Sequence, residues 1–225
     1  MSNQQLTSRV TAAGSVVGRA TGFELASRGA SNEANIDSAL QRNREFAAAG
    51  GHQGALVLPK LRLFVITCLD PRVDPAHFLG LGLSDAMVVR NVGGRVTPEV
   101  INDVAFIAQL AETALRDGPL LEVAVIHHTQ CGTGALVDDT FRRRYAERIG
   151  ADESTLREHA VLDPARTVTR DVERLHSSPA ISRRVTVSGH VYDVVTGLVE
   201  TVIAAGRRGD RSVAQPQAPQ GDETP

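Results

Sequence analysis

Cysteine is scarce in this chain of 225 residues, tryptophan is absent, and aromatic side chains make up only 4% of it. With only Cys68 and Cys131 present, no third cysteine exists to complete a structural zinc set of four Cys or His ligands; His127 or another histidine would have to do so. The shortage of aromatics leaves a core of Val, Leu, Ile and Ala, and this length suffices for one α/β domain. No sign of charge dominates: the formal net charge is -2 and the arginines are scattered among acids, so a nucleic-acid footprint is excluded. No apolar run is long enough to cross a bilayer, and Met1-Ser2-Asn3-Gln4-Gln5 does not lead from a basic region into an apolar one. The expectation is a soluble cytoplasmic protein that binds neither nucleic acid nor membrane. Neither a G-x-G-x-x-G pattern nor a Walker lysine occurs, which leaves Gly93-Gly94 as a weak phosphate signal.

What is present is concentrated in two stretches. Leu61 to Thr67 is a short apolar run, as expected of a strand buried on both faces, and it stops at Cys68-Leu69-Asp70-Pro71-Arg72. A second apolar run, Leu121 to Ile126, ends in His127-His128-Thr129-Gln130-Cys131-Gly132. Both cysteines therefore sit beside other ligand-type residues at strand ends. A disulfide between them is the plain alternative, but cytosolic chains seldom keep one. Two buried apolar thiols would explain the cysteines and nothing else.

Taken in order, residues 1–31 have no sustained period and read as a poorly ordered arm. From Asn32 to Ala49 a helix is expected, its Ile36, Leu40 and Ala47 forming a narrow stripe suited to packing on another subunit. Strands are expected at Leu61–Thr67, Ala86–Arg90 and Leu120–His127, separated by a short helix from Pro75 and a longer one capped by Thr97-Pro98. That alternation argues for a parallel sheet with right-handed crossovers and functional groups at the carboxyl ends of its strands. Further helices are expected over Asp138–Ile149, with Arg142-Arg143-Arg144 as a solvated face, and from Asp163-Pro164 to Ser178, the stretch between them being unassigned. Val185–Tyr192 and Leu198–Ile203 read as a terminal hairpin at a sheet edge. The domain is expected to span 32–205, and the Arg-, Gln-, Pro- and Gly-rich tail 206–225 to be disordered.

If the first and third strands are neighbours, about 4.8 Å apart, Cys68 can converge with His128 and Cys131 on one ion. Two thiolates and an imidazole are a zinc set, and three protein ligands leave a fourth position for water. Asp70 either becomes that fourth ligand or accepts a hydrogen bond from a zinc-bound hydroxide, with Arg72 holding it ionised. A surface salt bridge is the bland alternative for this pair.

The motifs Cys68-Leu69-Asp70-Pro71-Arg72 and His128-Thr129-Gln130-Cys131-Gly132 resemble the C-x-D-x-R and H-x-x-C-G motifs of the β-class carbonic anhydrases, and Arg90-Asn91-Val92-Gly93-Gly94 is similar to their loop after the second strand. The resemblance implies a mostly parallel four-stranded sheet flanked by helices with an added C-terminal edge strand. It also implies a homodimer or homotetramer whose N-terminal helices wrap the partner. By the same likeness one zinc ion per subunit is held by Cys68, His128 and Cys131, with Asp70 and Arg72 the catalytic pair and Asp70 a state-dependent fourth ligand. The implied reaction is the reversible hydration of carbon dioxide to bicarbonate by attack of zinc-bound hydroxide. His52 and His77 are the candidates to carry the proton to solvent. The alternatives are a carbon disulfide or carbonyl sulfide hydrolase on the same scaffold, or a weakly active zinc-stabilised regulatory or binding protein. Pro71 stands where the family usually has a small residue, and Gly94 where many members have asparagine.

Overall fold

A computed structural model describes residues 36–209; the expected arm 1–31 lies outside the described residues, as does the expected tail from 210 onward. Five strands form one sheet: β1 (Leu63–Cys68), β2 (Ala86–Asn91), β3 (Glu122–His128), β4 (Thr186–Tyr192) and β5 (Val199–Arg207). Their order is β2-β1-β3-β4-β5. The first four run parallel, and β5 pairs antiparallel with β4. This is the expected sheet with its added edge strand. The C-terminal hairpin is only half an edge, however, because β4 pairs with β3 along its whole length. The last strand also continues to Arg207, past the expected end of the domain.

Helix starts follow the local chemistry. In α2 (Pro75–Phe78), α3 (Pro98–Ala114) and α6 (Pro164–Ser177) a proline occupies the first turn, where its missing N–H is not needed. The preceding Asp74, Thr97 and Asp163 each accept a hydrogen bond from a free backbone N–H. Asp138 caps α4 (Asp139–Ile149), and Gly150, in the left-handed conformation, ends it. The unassigned stretch contains a further helix, α5 (Glu153–His159), capped by Asp152. The expected N-terminal helix is α1 (Asp37–Ala48), and none of its residues is buried.

One face of the sheet carries the main core. Val100, Val104, Ala108 and Ala111 of α3 and Val168, Val172 and Leu175 of α6 pack on Phe64, Ile66, Val123, Val125 and Val187. Each buried Val, Leu, Ile or Phe among them contributes about 1.5–3 kcal/mol relative to exposure, and the alanines less. On the opposite face Val65, Ala124 and Ile126 meet Phe78 of α2 and Tyr192. Of the arginine run, Arg143 and Arg144 are exposed as expected, but Arg142 is not part of a solvated face. Arg142 is buried, donates to the Leu136 and Val137 carbonyls, and pairs with Asp139 and Glu153. A guanidinium has enough donors to reach both carbonyls at the open end of the turn Gly132–Val137, and these bonds tie helix α4 to it.

Candidate metal centre

Parallel order places the ends of β1 and β3 side by side, with Thr67 level with Ile126. The donor atoms of Cys68, His128 and Cys131 lie within 4.8 Å of one another, and all three residues are buried. Both cysteines are free, and their sulfurs stand 4.0 Å apart, well beyond a disulfide bond. At that distance the hydrogen bond between the sulfurs eases the ionisation of Cys131 and opposes that of Cys68, where burial adds to the opposition. One proton is thus retained by the pair unless a cation neutralises both thiolates.

His128 completes the donor set. Its Nδ1 lies 2.9 Å from the Thr129 carbonyl, an obligate acceptor, so Nδ1 carries the hydrogen and Nε2 the lone pair. Buried Nε2 has no hydrogen-bond partner among the described residues. Beside two thiols this lone pair can take only a weak S–H donor or a cation, and S, N, S is a donor set that suits zinc. The residues therefore fit the expected metal.

Asp70 is not a member of this cluster. Its Oδ1 accepts from the Arg72 backbone N–H at 2.9 Å and from Nε at 3.0 Å, while Oδ2 accepts from the far guanidinium nitrogen at 2.7 Å. This fork holds the Asp70 carboxyl below the usual carboxylate range. Arg72 also donates to the Gln130 carbonyl at 3.0 Å, which joins the two motif loops. Gln130 reaches that position with a φ of 55°. Pro71, the departure from the family motif, is accommodated in a turn. The Val73 N–H returns to the Asp70 carbonyl at 3.0 Å, so Pro71 occupies the second position of a turn, where its fixed φ is favourable.

Three supporting residues were missed by sequence reasoning. Arg90, at the end of β2, donates to the Cys68 carbonyl at 3.0 Å and the Asp70 carbonyl at 2.7 Å and pairs with Asp74. Buried Arg95 forms a fork on Asp171 of α6, at 2.7 and 3.0 Å. Asp171 also accepts from the Val96 N–H at 3.0 Å. His127 does not extend the metal set. Strand alternation turns it to the helix-covered face, where Nδ1 meets Thr167 Oγ1 at 2.8 Å, and Nε2 donates to the Gly94 carbonyl at 3.2 Å beside Asp171 Oδ2. The one available signal was the charged residue directly after Gly93-Gly94. His52 and His77 are both exposed, the latter in the last turn of α2.

Metal-type donors gathered where two parallel strands end define this as an α/β protein with a candidate catalytic metal site at its carboxyl edge. A family model described as carbonic anhydrase matches residues 63–199. β-Carbonic anhydrase 1 of Mycobacterium tuberculosis is 29% identical over 167 residues, which cover 74% of this chain and 96% of that one. A carbon disulfide hydrolase of Acidianus sp. is 29% identical over 184 residues, 72% of this chain and 85% of the relative. The solved carbonic anhydrase of Streptococcus mutans superposes with a TM-score of 0.64 at 30% identity, covering 76% of this chain and 99% of that one. The chain belongs to the β-class carbonic anhydrases, a family of enzymes.

Proposed function

We propose that the protein catalyses the reversible hydration of carbon dioxide to bicarbonate, with one zinc ion held by Cys68, His128 and Cys131. The observation that carries this reading is the buried, unpartnered His128 Nε2 within 4.8 Å of two thiols, beside an aspartate forked by arginine. Zinc bound there would supply Lewis-acid activation of water near neutral pH. Cys68 and Cys131 provide the negative charge that retains a dication, and the Thr129 carbonyl keeps the His128 lone pair aimed at it. Arg72 keeps Asp70 ionised, so a carboxylate lone pair is available to accept a hydrogen from the attacking water and fix its orientation. For Asp70 to serve instead as a fourth ligand, at least one oxygen must turn from Arg72 toward the metal; we assign that to a closed resting state. His52 and His77, exposed imidazoles, are the proposed proton carriers to solvent. The unburied helix α1 is proposed to pack on a second copy, in a homodimer or homotetramer.

The second reading, hydrolysis of carbon disulfide, is favoured by one observation: the Acidianus hydrolase is as close in identity as the mycobacterial β-carbonic anhydrase. Stopped-flow hydration assays on zinc-loaded and dialysed protein, with sulfide release from carbon disulfide measured in parallel, separate the two. The expected result is one zinc per chain and zinc-dependent hydration. Asp70→Asn should retain zinc and lose activity about 10–100-fold, whereas Cys131→Ser should lose the metal. Full hydration activity in Asp70→Asn would remove that carboxylate from the mechanism.

A further inference from the structure

Thr133 lies two residues beyond Cys131 in the turn Gly132–Val137 and is buried. Its Oγ1 is 3.1 Å from Cys131 Sγ and 3.1 Å from the Val161 backbone nitrogen. An amide N–H can only donate, so Val161 occupies a hydroxyl lone pair and orients the group. Cys131, once ionised as a metal ligand, can only accept. The hydroxyl hydrogen is then directed at the sulfur, in a contact short for a donor bonded to sulfur. Val161 is itself buried between α5 and α6, so the orienting N–H is held by packing.

We propose that Thr133 is a positioning residue of the metal centre, donating a hydrogen bond to the Cys131 thiolate that fixes the sulfur and withdraws negative charge from it. This inference rests on the metal reading above. A sulfur with less charge to donate leaves a bound cation more electrophilic, and a fixed sulfur keeps the three donors convergent. Thr133 touches no substrate and acts only through Cys131.

The test uses the cobalt-substituted full chain, with Thr133→Val as the near-isosteric loss of the hydroxyl and Thr133→Ser as its retention. In Thr133→Val the sulfur-to-cobalt charge-transfer band should move to longer wavelength, because an unbonded thiolate holds its electrons less tightly. Thr133→Ser should restore the native band. Zinc affinity at neutral pH, measured by chelator competition, should fall about 10-fold in the valine variant and return in the serine variant. A purely structural role would lower the melting temperature without moving the band. An unshifted band in Thr133→Val with stoichiometric cobalt overturns the proposal. Failure of the native chain to bind cobalt at all overturns the metal reading instead. If the valine variant does not fold, the native cadmium-113 protein decides. Scalar coupling between the metal and the Thr133 hydroxyl proton supports the bond, and a hydroxyl proton in free exchange with water, beside a sharp cadmium resonance, overturns it.

Discussion

At the scale of single residues, Gly94 is a position that cannot take a side chain without moving backbone. Its φ is +66°, and a Cβ there would lie 2.8 Å from both the Cys68 nitrogen and the Thr67 carbonyl carbon. Those are backbone atoms at the end of β1, so nothing flexible can yield. Gly118 supplies the contrast, with a φ of +80° and nothing within 4 Å of the added carbon. Gly118→Ala should therefore cost only the left-handed conformation, about 1–2 kcal/mol. Gly94→Ala should cost more than that and, by moving Cys68, also weaken metal binding. Denaturant unfolding with zinc titration of both variants checks the difference, and equal losses of stability with unchanged zinc affinity would contradict it. Asparagine, which tolerates positive φ, would still bring the offending Cβ, so this chain's close approach is specific to glycine. The doubled glycine was legible as a tight place in the sequence; which backbone it approaches was not, because that depends on β1 and β2 being paired.

At the scale of elements, the fork between Arg95 and Asp171 joins the turn Val92–Gly94 to helix α6, and both side chains are fully buried. Burial pushes the Asp171 pKa up, but hydrogen bonds from His127 and Arg95 outweigh it and hold the carboxyl at about 2. The unfolded value is about 3.9. Because the folded pKa is the lower one, the unfolded chain binds more protons in this interval. The stability the group contributes, about 2.5 kcal/mol, is present above about pH 4 and lost as pH falls toward 2. Asp171→Asn leaves Arg95 buried without its counter-charge and should cost about 3–5 kcal/mol near neutral pH. That deficit against the native chain should shrink as pH drops through the same window. Urea unfolding of both proteins between pH 7 and 2 measures it, and a pH-independent gap would disprove the assignment. Strand ends loaded with thiol, imidazole and carboxylate were readable because ligand types cluster within a few residues of each motif. The Arg95 network was not, since its partners lie 76 positions apart and each alone looks like a surface charge. Arg142 was hidden by its neighbours: three consecutive arginines look solvated together, although helical geometry puts them on different faces and only Arg142 turns inward. The inner position of β4 likewise depends on pairing with β3, which no local pattern encodes.

At the scale of the whole molecule, apolar surface is left on the outside of the single chain. At helix α1, Ile36, its N-cap residue, is 57% exposed and Leu40 46%, although helical spacing places them on one stripe. Leu69 and Val92, on the loops that flank the metal donors, are each 53% exposed. Isolated apolar residues on a surface need no explanation, but a helix with a consistent apolar stripe and no buried residue gains little from folding alone. The proposed second copy would supply the missing face, and the same burial would exclude water from the loops around the site. Sedimentation equilibrium should accordingly give at least twice the 24.0 kDa chain mass. The double substitution Ile36→Glu with Leu40→Glu places two charges in the contact and should return the protein to one chain, because unpaired buried charge is far costlier than the apolar contact it replaces. Zinc content should be unchanged in that variant, since Cys68, His128 and Cys131 all come from one chain. Its hydration activity should fall if Leu69 and Val92 are shielded only in the assembly. A native protein that sediments as a single chain would leave the stripe without a partner, and a monomeric variant with full activity would place the working pocket within one subunit.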